Sequence, residues 1–267
     1  MPSADAAFAG SIPALYDRCL GPMLFEPFAE DMAGRAATFR PKMILETAAG
    51  TGILTERLAA FMPHAGITAT DLNPDMLMLA RREKDHEPQV RYERADALGL
   101  PFLDESFDLV VCQFGVMFYP DRVQAHRETR RVLRPEGTYL FSVWDGIDAN
   151  PVSKCVAAAV TRIFPDNPPS FLNRVPFGYS DWAQIEADLH AGGFDQVGIE
   201  TVAKTSRTTA EDAATGLCCG SPLRAEIEAR APGRVEEVAG AVAEDLRALW
   251  GAGAVEQPMS ALAILAR

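Results

Sequence analysis

The 267-residue sequence lacks the features that mark membrane, secreted and metal-binding proteins. None of its apolar runs reaches the roughly 18 residues that a transmembrane helix requires, and the segment Met1–Asp5 has neither the basic stretch nor the apolar core of a signal peptide. Its five cysteines are an odd number without a C-x-x-C pair, which fits neither a disulfide framework nor a zinc site. We therefore expect a reduced, cytoplasmic protein with no membrane span and no metal centre.

Positive charge is also scarce. Lys and Arg number 25 against 37 Asp and Glu, which gives a net charge of −12 at pH 7. Nucleic acids and anionic membranes attract clustered positive charge, and the longest basic clusters, at 81–82 and 127–134, have the spacing of solvated helix faces. We therefore expect a small-molecule partner and no nucleic acid.

What is present is an ordinary globular composition, with 48% hydrophobic and 23% charged residues. From Met43 onwards, short apolar runs alternate with stretches of helical periodicity, which is typical of a mostly parallel sheet covered by helices. The strand candidates are 43–45, 66–70, 90–94, 107–114, 138–144, 197–204 and 259–265. The predicted fold is α/β, a mostly parallel seven-stranded sheet with helices on both faces and a helical insertion before the last strand.

We expect one domain overall, built from three parts. Residues 1–40 are predicted to form an N-terminal helical cap, with an amphipathic helix over Ile12–Phe39. Residues 41–150 would form the ligand-binding core, and residues 151–267 the remainder of the sheet with helical insertions that cover the substrate.

Polar side chains follow the ends of the first four predicted strands. Glu46, Asp71 and Asp96 follow the first three, and Gln113 ends the fourth. Open α/β sheets bind ligands beyond the carboxyl ends of their strands. The sequence therefore predicts an acceptor-rich crevice at this edge.

A turn of small residues, 47–52, follows Glu46. Such a turn lets backbone groups approach a ligand, but a pyrophosphate there would be repelled by the carboxylate of Glu46. Asp71 lies 19 residues beyond Gly52, near the distance at which an acid accepts ribose hydroxyls. Asp96 and Ala97 could contact adenine, so this order describes S-adenosylmethionine better than a nicotinamide dinucleotide.

Several segments in the same order resemble the motifs of class I S-adenosylmethionine-dependent methyltransferases. Ile44–Gly52 resembles the first motif. The third and fourth motifs are matched by Ala95–Ala97, Leu100–Phe102 and Asp104–Asp108. Arg131–Gly137 is similar to the segment that follows the fourth motif. The match covers about residues 40–145 and is nearest to the small-molecule enzymes related to ubiquinone and menaquinone biosynthesis. This chain departs from the pattern by having Glu at the first strand's end and Ala48 at the first loop glycine.

The resemblance implies a Rossmann-like fold, S-adenosyl-L-methionine as cofactor, S-adenosyl-L-homocysteine as product, and methyl transfer to a small, apolar or aromatic molecule by in-line attack. It implies the following cofactor-binding residues: Glu46, Thr47, Ala48 and Gly50 at the methionine end, Asp71 on the ribose, Leu72 and Met76 beside the adenosine, Asp96 and Ala97 at the adenine, Gln113 and Phe114 near the sulfonium, and Tyr16 folded over the cofactor.

The sequence does not identify a catalytic base. His126 has charged neighbours in a predicted helix, and we interpret it as a surface residue. Two other functions stay open, namely a non-catalytic module that binds the same nucleoside and a nicotinamide-dependent oxidoreductase. The oxidoreductase would require a third glycine, whereas Ile53 stands at that position.

Overall fold

The computed structural model describes residues 12–84 and 88–267, and seven strands within these ranges form one sheet. The strands are β1 Met43–Thr47, β2 Gly66–Asp71, β3 Val90–Arg94, β4 Phe107–Gln113, β5 Leu133–Trp144, β6 Val197–Thr208 and β7 Val255–Ala266. Their order is β3-β2-β1-β4-β5-β7-β6. Neighbours from β3 to β5 are parallel and β7 runs antiparallel to β5. The predicted mostly parallel seven-stranded sheet is confirmed.

Helices connect the strands. They are α1 Ile12–Leu15, α2 Glu26–Thr38, α3 Ile53–Phe61, α4 Pro74–Lys84, α5 Arg122–Val132, α6 Pro151–Ile163, α7 Phe171–Arg174, α8 Trp182–Ala191, α9 Ala210–Cys219, α10 Leu223–Arg230 and α11 Val235–Trp250. Helices α9 to α11 lie between β6 and β7, which confirms the predicted helical insertion. The helix predicted over 12–39 is divided, because a π-helical segment, Tyr16–Phe25, separates α1 from α2.

The two faces of β5 are covered by different helices. His126 of α5 lies against the rings of Tyr139 and Phe141, whereas Phe28 of α2 contacts Trp144. Since successive side chains of a strand point to opposite faces, α2 and α5 pack on opposite sides of the sheet. We refer to the side that carries Phe28 and Trp144 as the α2 face.

The chain divides into two compact units. The sheet unit comprises Phe28–Trp144, Tyr179–Val202 and Ala261–Arg267, and the helical unit comprises the described residues up to Pro27 with Asp145–Gly178 and Ala203–Ser260. Strands β1 and β4 form the centre of the sheet unit, and the apolar side chains of β4 are buried on both faces. This double burial explains the continuous apolar run at 109–112.

One predicted strand boundary was wrong. Strand β5 begins at Leu133, five residues before the predicted start at residue 138, and includes Pro135, Glu136 and Gly137. Its pairing with β4 is irregular there, with a register shift between Phe107 and Leu109. Helix α8 is capped by Asp181, whose carboxylate accepts the N–H of Ala183 at 3.0 Å.

Candidate functional site

The strands bring three of the predicted acceptor residues to one face of the sheet. Glu46 pairs with Ala69 of β2 and with Val111 of β4, while Asp71 and Gln113 lie two residues further along those strands. Because side chains alternate between faces, Glu46, Asp71 and Gln113 project from the same face at the carboxyl edge. Their individual cofactor contacts stay predictions.

The loop between β1 and α3 turns through left-handed backbone at Ala48 (φ 54°) and Gly50 (φ 57°). It is tied to β2 by two hydrogen bonds, from Ala49 N–H to the carbonyl of Thr70 (2.9 Å) and from Gly50 N–H to Oδ2 of Asp71 (2.8 Å). A Cβ placed on Gly50 would meet no atom of the described chain within 4 Å. The loop therefore presents bare backbone to open space, as close approach of a ligand requires.

Asp71 is the carboxylate most clearly arranged for a ligand. Its Oδ1 accepts the N–H of Asn73 at 2.8 Å, and its Oδ2 accepts the N–H of Gly50. Burial raises the pKa of Asp71 above its usual value, and the backbone hydrogen bonds act in the opposite direction. Each carboxylate oxygen has a second lone pair, so the side chain can hold the loop and still accept hydroxyl groups.

Glu46 is almost completely buried, and it takes part in hydrogen bonds inside the protein. Its Oε2 accepts the hydroxyl of Thr55 in α3 at 2.6 Å, and its carbonyl accepts the hydroxyl of Thr70 at 2.9 Å. These contacts fix β1 to the start of α3 and to β2. The predicted contact of Glu46 with the amino group of methionine stays a prediction.

The residues predicted at the adenosine differ in exposure. Asp96 is exposed and its Oδ1 accepts the N–H of Leu98 at 2.9 Å, which holds the turn that contains Ala97. Leu72 is 36% exposed, whereas Met76 is buried. Leu72 can therefore offer apolar surface to a ligand without rearrangement, and Met76 contributes to the packing of α4.

Phe114, directly after β4, has a left-handed backbone with φ 53°, which is unusual for a bulky residue. Its ring stacks on Trp144 with centroids 4.0 Å apart and lies edge-on to Phe28 at 5.4 Å. Its N–H donates to the carbonyl of Ser142 at 3.0 Å. Phe28, Phe114 and Trp144 thus form an aromatic cluster on the α2 face, next to the carboxyl ends of β4 and β5.

Thr47 takes part in a hydroxyl network on the opposite face. Tyr119 donates its hydroxyl to Oγ1 of Thr47 at 3.2 Å and lies 3.4 Å from Sγ of Cys112. Burial raises the pKa of Tyr119 well above its usual value. The network joins the end of β1 to β4 directly below the loop.

Thr51 was missed by the sequence predictions. The residue is 2% exposed, and its Oγ1 has no hydrogen-bond partner among the described residues. An unsatisfied buried hydroxyl costs about 1–3 kcal/mol, so a ligand that bonds it would recover that cost. A hydroxyl between Gly50 and Gly52 was the available signal in the sequence.

Tyr16 lies in the helical unit, where its ring stacks on Phe25 with centroids 4.7 Å apart. Its predicted position over the cofactor stays a prediction.

His126 is completely buried, so its interpretation as a surface residue was wrong. It belongs to the buried stripe of α5 with Ala125, Thr129 and Val132, and the Cβ of His126 is so close to Gly192 that a methyl group there would approach it to 2.4 Å. The spacing of Thr129 and Val132 relative to His126 was the helical signal that neighbouring charges obscured.

Arg131 holds the loop that carries the third and fourth motif segments. Its guanidinium donates to the carbonyls of Leu100 (2.8 Å) and Phe102 (2.7 Å) and to the carboxylates of Asp104 (2.8 Å) and Glu128 (2.7 Å). One planar cation thereby satisfies the loop backbone, a task that suits the fork of donors in arginine.

Other features lie away from this edge. A groove of about 470 Å³ is lined by Arg35, Thr38 and Phe39 together with the β5, β6 and β7 residues Leu140, Gly198, Ile199, Glu200, Ala263 and Leu265. None of the predicted site residues lines it. Within residues 12–84 and 88–267, no group of three or more His, Cys, Asp or Glu side chains could hold a metal ion, and no helix is long and apolar enough to cross a membrane.

Comparison with known proteins places the same segment in a described family. Residues 45–141 match the family model for a methyltransferase domain. The chain is 34% identical over 133 residues to a demethylmenaquinone methyltransferase of Deinococcus radiodurans, an alignment of 49% of this chain and 53% of that protein. The chain thus spans about half the length of this relative.

A demethylmenaquinone methyltransferase of Clavibacter sepedonicus is 30% identical over 184 residues, which are 62% of this chain and 74% of that protein. The crystal structure of the cyclase SpnF superposes with a TM-score of 0.59 and 17% identity, covering 96% of this chain and 92% of that one. At such low identity the superposition shows a shared fold alone.

Proposed function

We propose that this chain, which belongs to the class I S-adenosylmethionine-dependent methyltransferases of the ubiquinone/menaquinone type, binds S-adenosylmethionine at the carboxyl edge of β1, β2 and β3 and methylates a small, apolar or aromatic molecule. The observation that carries the proposal is the contact between Asp71 and Gly50, which joins a carboxylate to a backbone loop that faces open space. Acceptors for hydroxyl groups and bare backbone beside them suit a nucleoside better than a diphosphate.

The residues at this edge fit the proposed cofactor. Asp71 would accept the ribose hydroxyls, Leu72 would pack on the adenosine, and Asp96 with Ala97 would contact the adenine. The buried hydroxyl of Thr51 would form a hydrogen bond with the methionine end of the cofactor. The backbone of Ala48–Gly50 would bind the same end. In this scheme Glu46 contributes negative charge from beneath the loop.

When bound, S-adenosylmethionine supplies an activated methyl group on a sulfonium. The task of the protein is then to hold the acceptor in line with that methyl and to exclude water, and such alignment is worth roughly 7–11 kcal/mol. The aromatic cluster of Phe28, Phe114 and Trp144 supplies rigid apolar surface near Gln113. Segments outside the core, at 11–39, 151–180 and 209–257, would select the acceptor, in the one-domain organisation predicted from the sequence.

Two titratable side chains are unsuited to act as a general base. Tyr119 is half-buried, its pKa is raised well above its usual value, and its hydroxyl donates a hydrogen bond to Oγ1 of Thr47. His126 of α5 is enclosed by Tyr139 of β5 and by Gly192, which directly follows α8. Neither side chain is therefore assigned as the base that an acceptor with a proton to lose would need.

Binding and turnover measurements test the proposal on the full chain. We expect calorimetry to detect binding of S-adenosylhomocysteine and not of NADH, and we expect label from methyl-labelled S-adenosylmethionine to appear in an organic extract when reduced demethylmenaquinone or another small aromatic acceptor is present. Binding of NADH alone would favour the oxidoreductase. Binding of S-adenosylhomocysteine without label transfer to any acceptor, including a cell metabolite extract, would favour a non-catalytic module.

A further inference from the structure

Two loops meet at an unusually close contact beside the candidate site. A Cβ built on Gly115 would lie 2.5 Å from the Cβ of Ala48 and 2.7 Å from Sγ of Cys112. Real Cβ atoms do not approach that closely, so residue 115 must be glycine for reasons of space. Its φ of −100° is open to any residue, so backbone conformation is not the reason.

The partner in this contact, Ala48, is itself constrained. It occupies the first glycine position of the cofactor loop but adopts φ 54°, where a side chain costs energy. The methyl of Ala48 fills the space that the missing side chain of Gly115 leaves. The two positions are therefore complementary, because the larger residue on one loop faces the smaller residue on the other.

Both loops are anchored on their far sides. The cofactor loop is bonded to β2 through Ala49 and Gly50, and the turn at Gly115 is held by the ring of Phe114 on Trp144. The contact between Ala48 and Gly115 therefore sets how far the cofactor loop stands from the end of β4.

We propose that Gly115 is a positioning residue for cofactor binding, which acts through the methyl of Ala48 to hold the loop at the position where Gly50 meets Asp71. This inference rests on the proposed function, since it assigns the loop to the cofactor. Gly115 itself is not proposed to contact the cofactor. Its contribution is the absence of a side chain, which lets the loop of β1 pack directly against the turn that follows β4.

The test compares Gly115→Ala with Gly198→Ala, in which a Cβ meets no atom of the described chain within 4 Å. We expect Gly115→Ala to weaken S-adenosylhomocysteine binding about tenfold or more, because an added methyl in a packed contact displaces its neighbours. Gly198→Ala should bind as the unmodified chain does. Calorimetry gives the affinity, and thermal unfolding without ligand measures stability separately.

Second substitutions that restore binding identify which contact of residue 115 carries the effect on affinity. In the Gly115→Ala background, Ala48→Gly removes the nearest clash and Cys112→Ala removes the other. Recovery of affinity with Ala48→Gly, exceeding that with Cys112→Ala, supports the proposal, whereas recovery only with Cys112→Ala overturns it. Unweakened binding by Gly115→Ala also overturns it. If Gly115→Ala alone does not fold, the affinity for S-adenosylhomocysteine is compared between the two double variants, and tighter binding by the one that carries Ala48→Gly supports the proposal, whereas equal or weaker binding by it overturns the proposal.

The proposed function fails separately from this inference. If the unmodified chain binds no S-adenosylhomocysteine, the loop has been assigned to the wrong ligand. If the unmodified chain binds it and Gly115→Ala binds equally well, the function stands and the positioning role of Gly115 is refuted.

Discussion

Acidification should destabilise the sheet unit through His126. Its ring lies 5.8 Å from that of Tyr139 and 5.7 Å from that of Phe141, and neither ring nitrogen has a hydrogen-bond partner among the described residues. Burial lowers the pKa of His126 from 6.5 to about 4, while the charge of Asp188 raises it and that of Arg122 lowers it further. The folded protein therefore keeps a neutral imidazole where the unfolded chain takes up a proton.

The direction in which the free energy of unfolding changes with pH follows from proton uptake at His126. Between pH 6.5 and about 4 the unfolded chain binds more protons at His126 than the folded protein does, so the free energy of unfolding falls as the pH falls. The gap between the two pKa values corresponds to a loss of about 3 kcal/mol in full, of which about 2 kcal/mol has appeared by pH 5. Against a typical total of about 5–15 kcal/mol, such a loss is readily measured.

Urea unfolding between pH 8 and pH 5 measures this effect when the chain is compared with His126→Leu. Leucine keeps an apolar side chain in the site without a titrating group, and all other groups are common to both proteins, so they cancel in the difference. We expect the stability difference to shift by about 2 kcal/mol in favour of the variant on going from pH 7 to pH 5. Parallel pH profiles for the two proteins would refute the reasoning, and His126→Phe provides a second comparison if leucine packs poorly.

Three further outcomes are expected. Burial raises the pKa of Asp71, and a protonated carboxyl accepts hydroxyl groups less well than a carboxylate. Affinity for S-adenosylhomocysteine in calorimetry should therefore fall as the pH is lowered towards that raised pKa, whereas Asp71→Asn should bind weakly at every pH. Thr51→Val should weaken that binding yet leave the ligand-free unfolding temperature unchanged or higher, while Thr55→Val, which removes the bond to Glu46, should lower that temperature. Arg131→Met should cost about 1–3 kcal/mol in urea unfolding through the lost backbone and carboxylate bonds, and an unchanged midpoint would contradict this.

The sheet was predictable because its signals are local in the chain. Apolar runs that are buried on both faces and the helical periods between them leave one arrangement, a parallel sheet with crossover helices. The start of β5 was not predictable in this way. Pro135 and Gly137 normally separate elements, but here they enter an irregular ladder whose pairing with Phe107 is set by the neighbouring strand.

The shared edge of the candidate residues was predictable from the sequence, whereas the direction of each carboxylate was not. Parallel pairing brings Glu46, Asp71 and Gln113 to one edge, and period-two alternation fixes their common face. Where each carboxylate points depends on tertiary contacts, and the bond of Glu46 to Thr55 across nine residues has no sequence pattern of its own. The burial of His126 was obscured by its charged neighbours, since helix faces are defined by residues three or four apart.

Two strained backbone positions lie at the edge where the cofactor is proposed to bind. Among the described residues, the non-glycine residues with positive φ are Arg40, Ala48, Glu105 and Phe114, and two of these directly follow the central strands β1 and β4. Such conformations cost of order 1–3 kcal/mol each and persist only where the surroundings impose them. Here the constraints are packing contacts, because the methyl of Ala48 packs against Gly115 and the ring of Phe114 stacks on Trp144. A rigid edge of this kind is what in-line transfer requires, since alignment is lost if the loop is free to move.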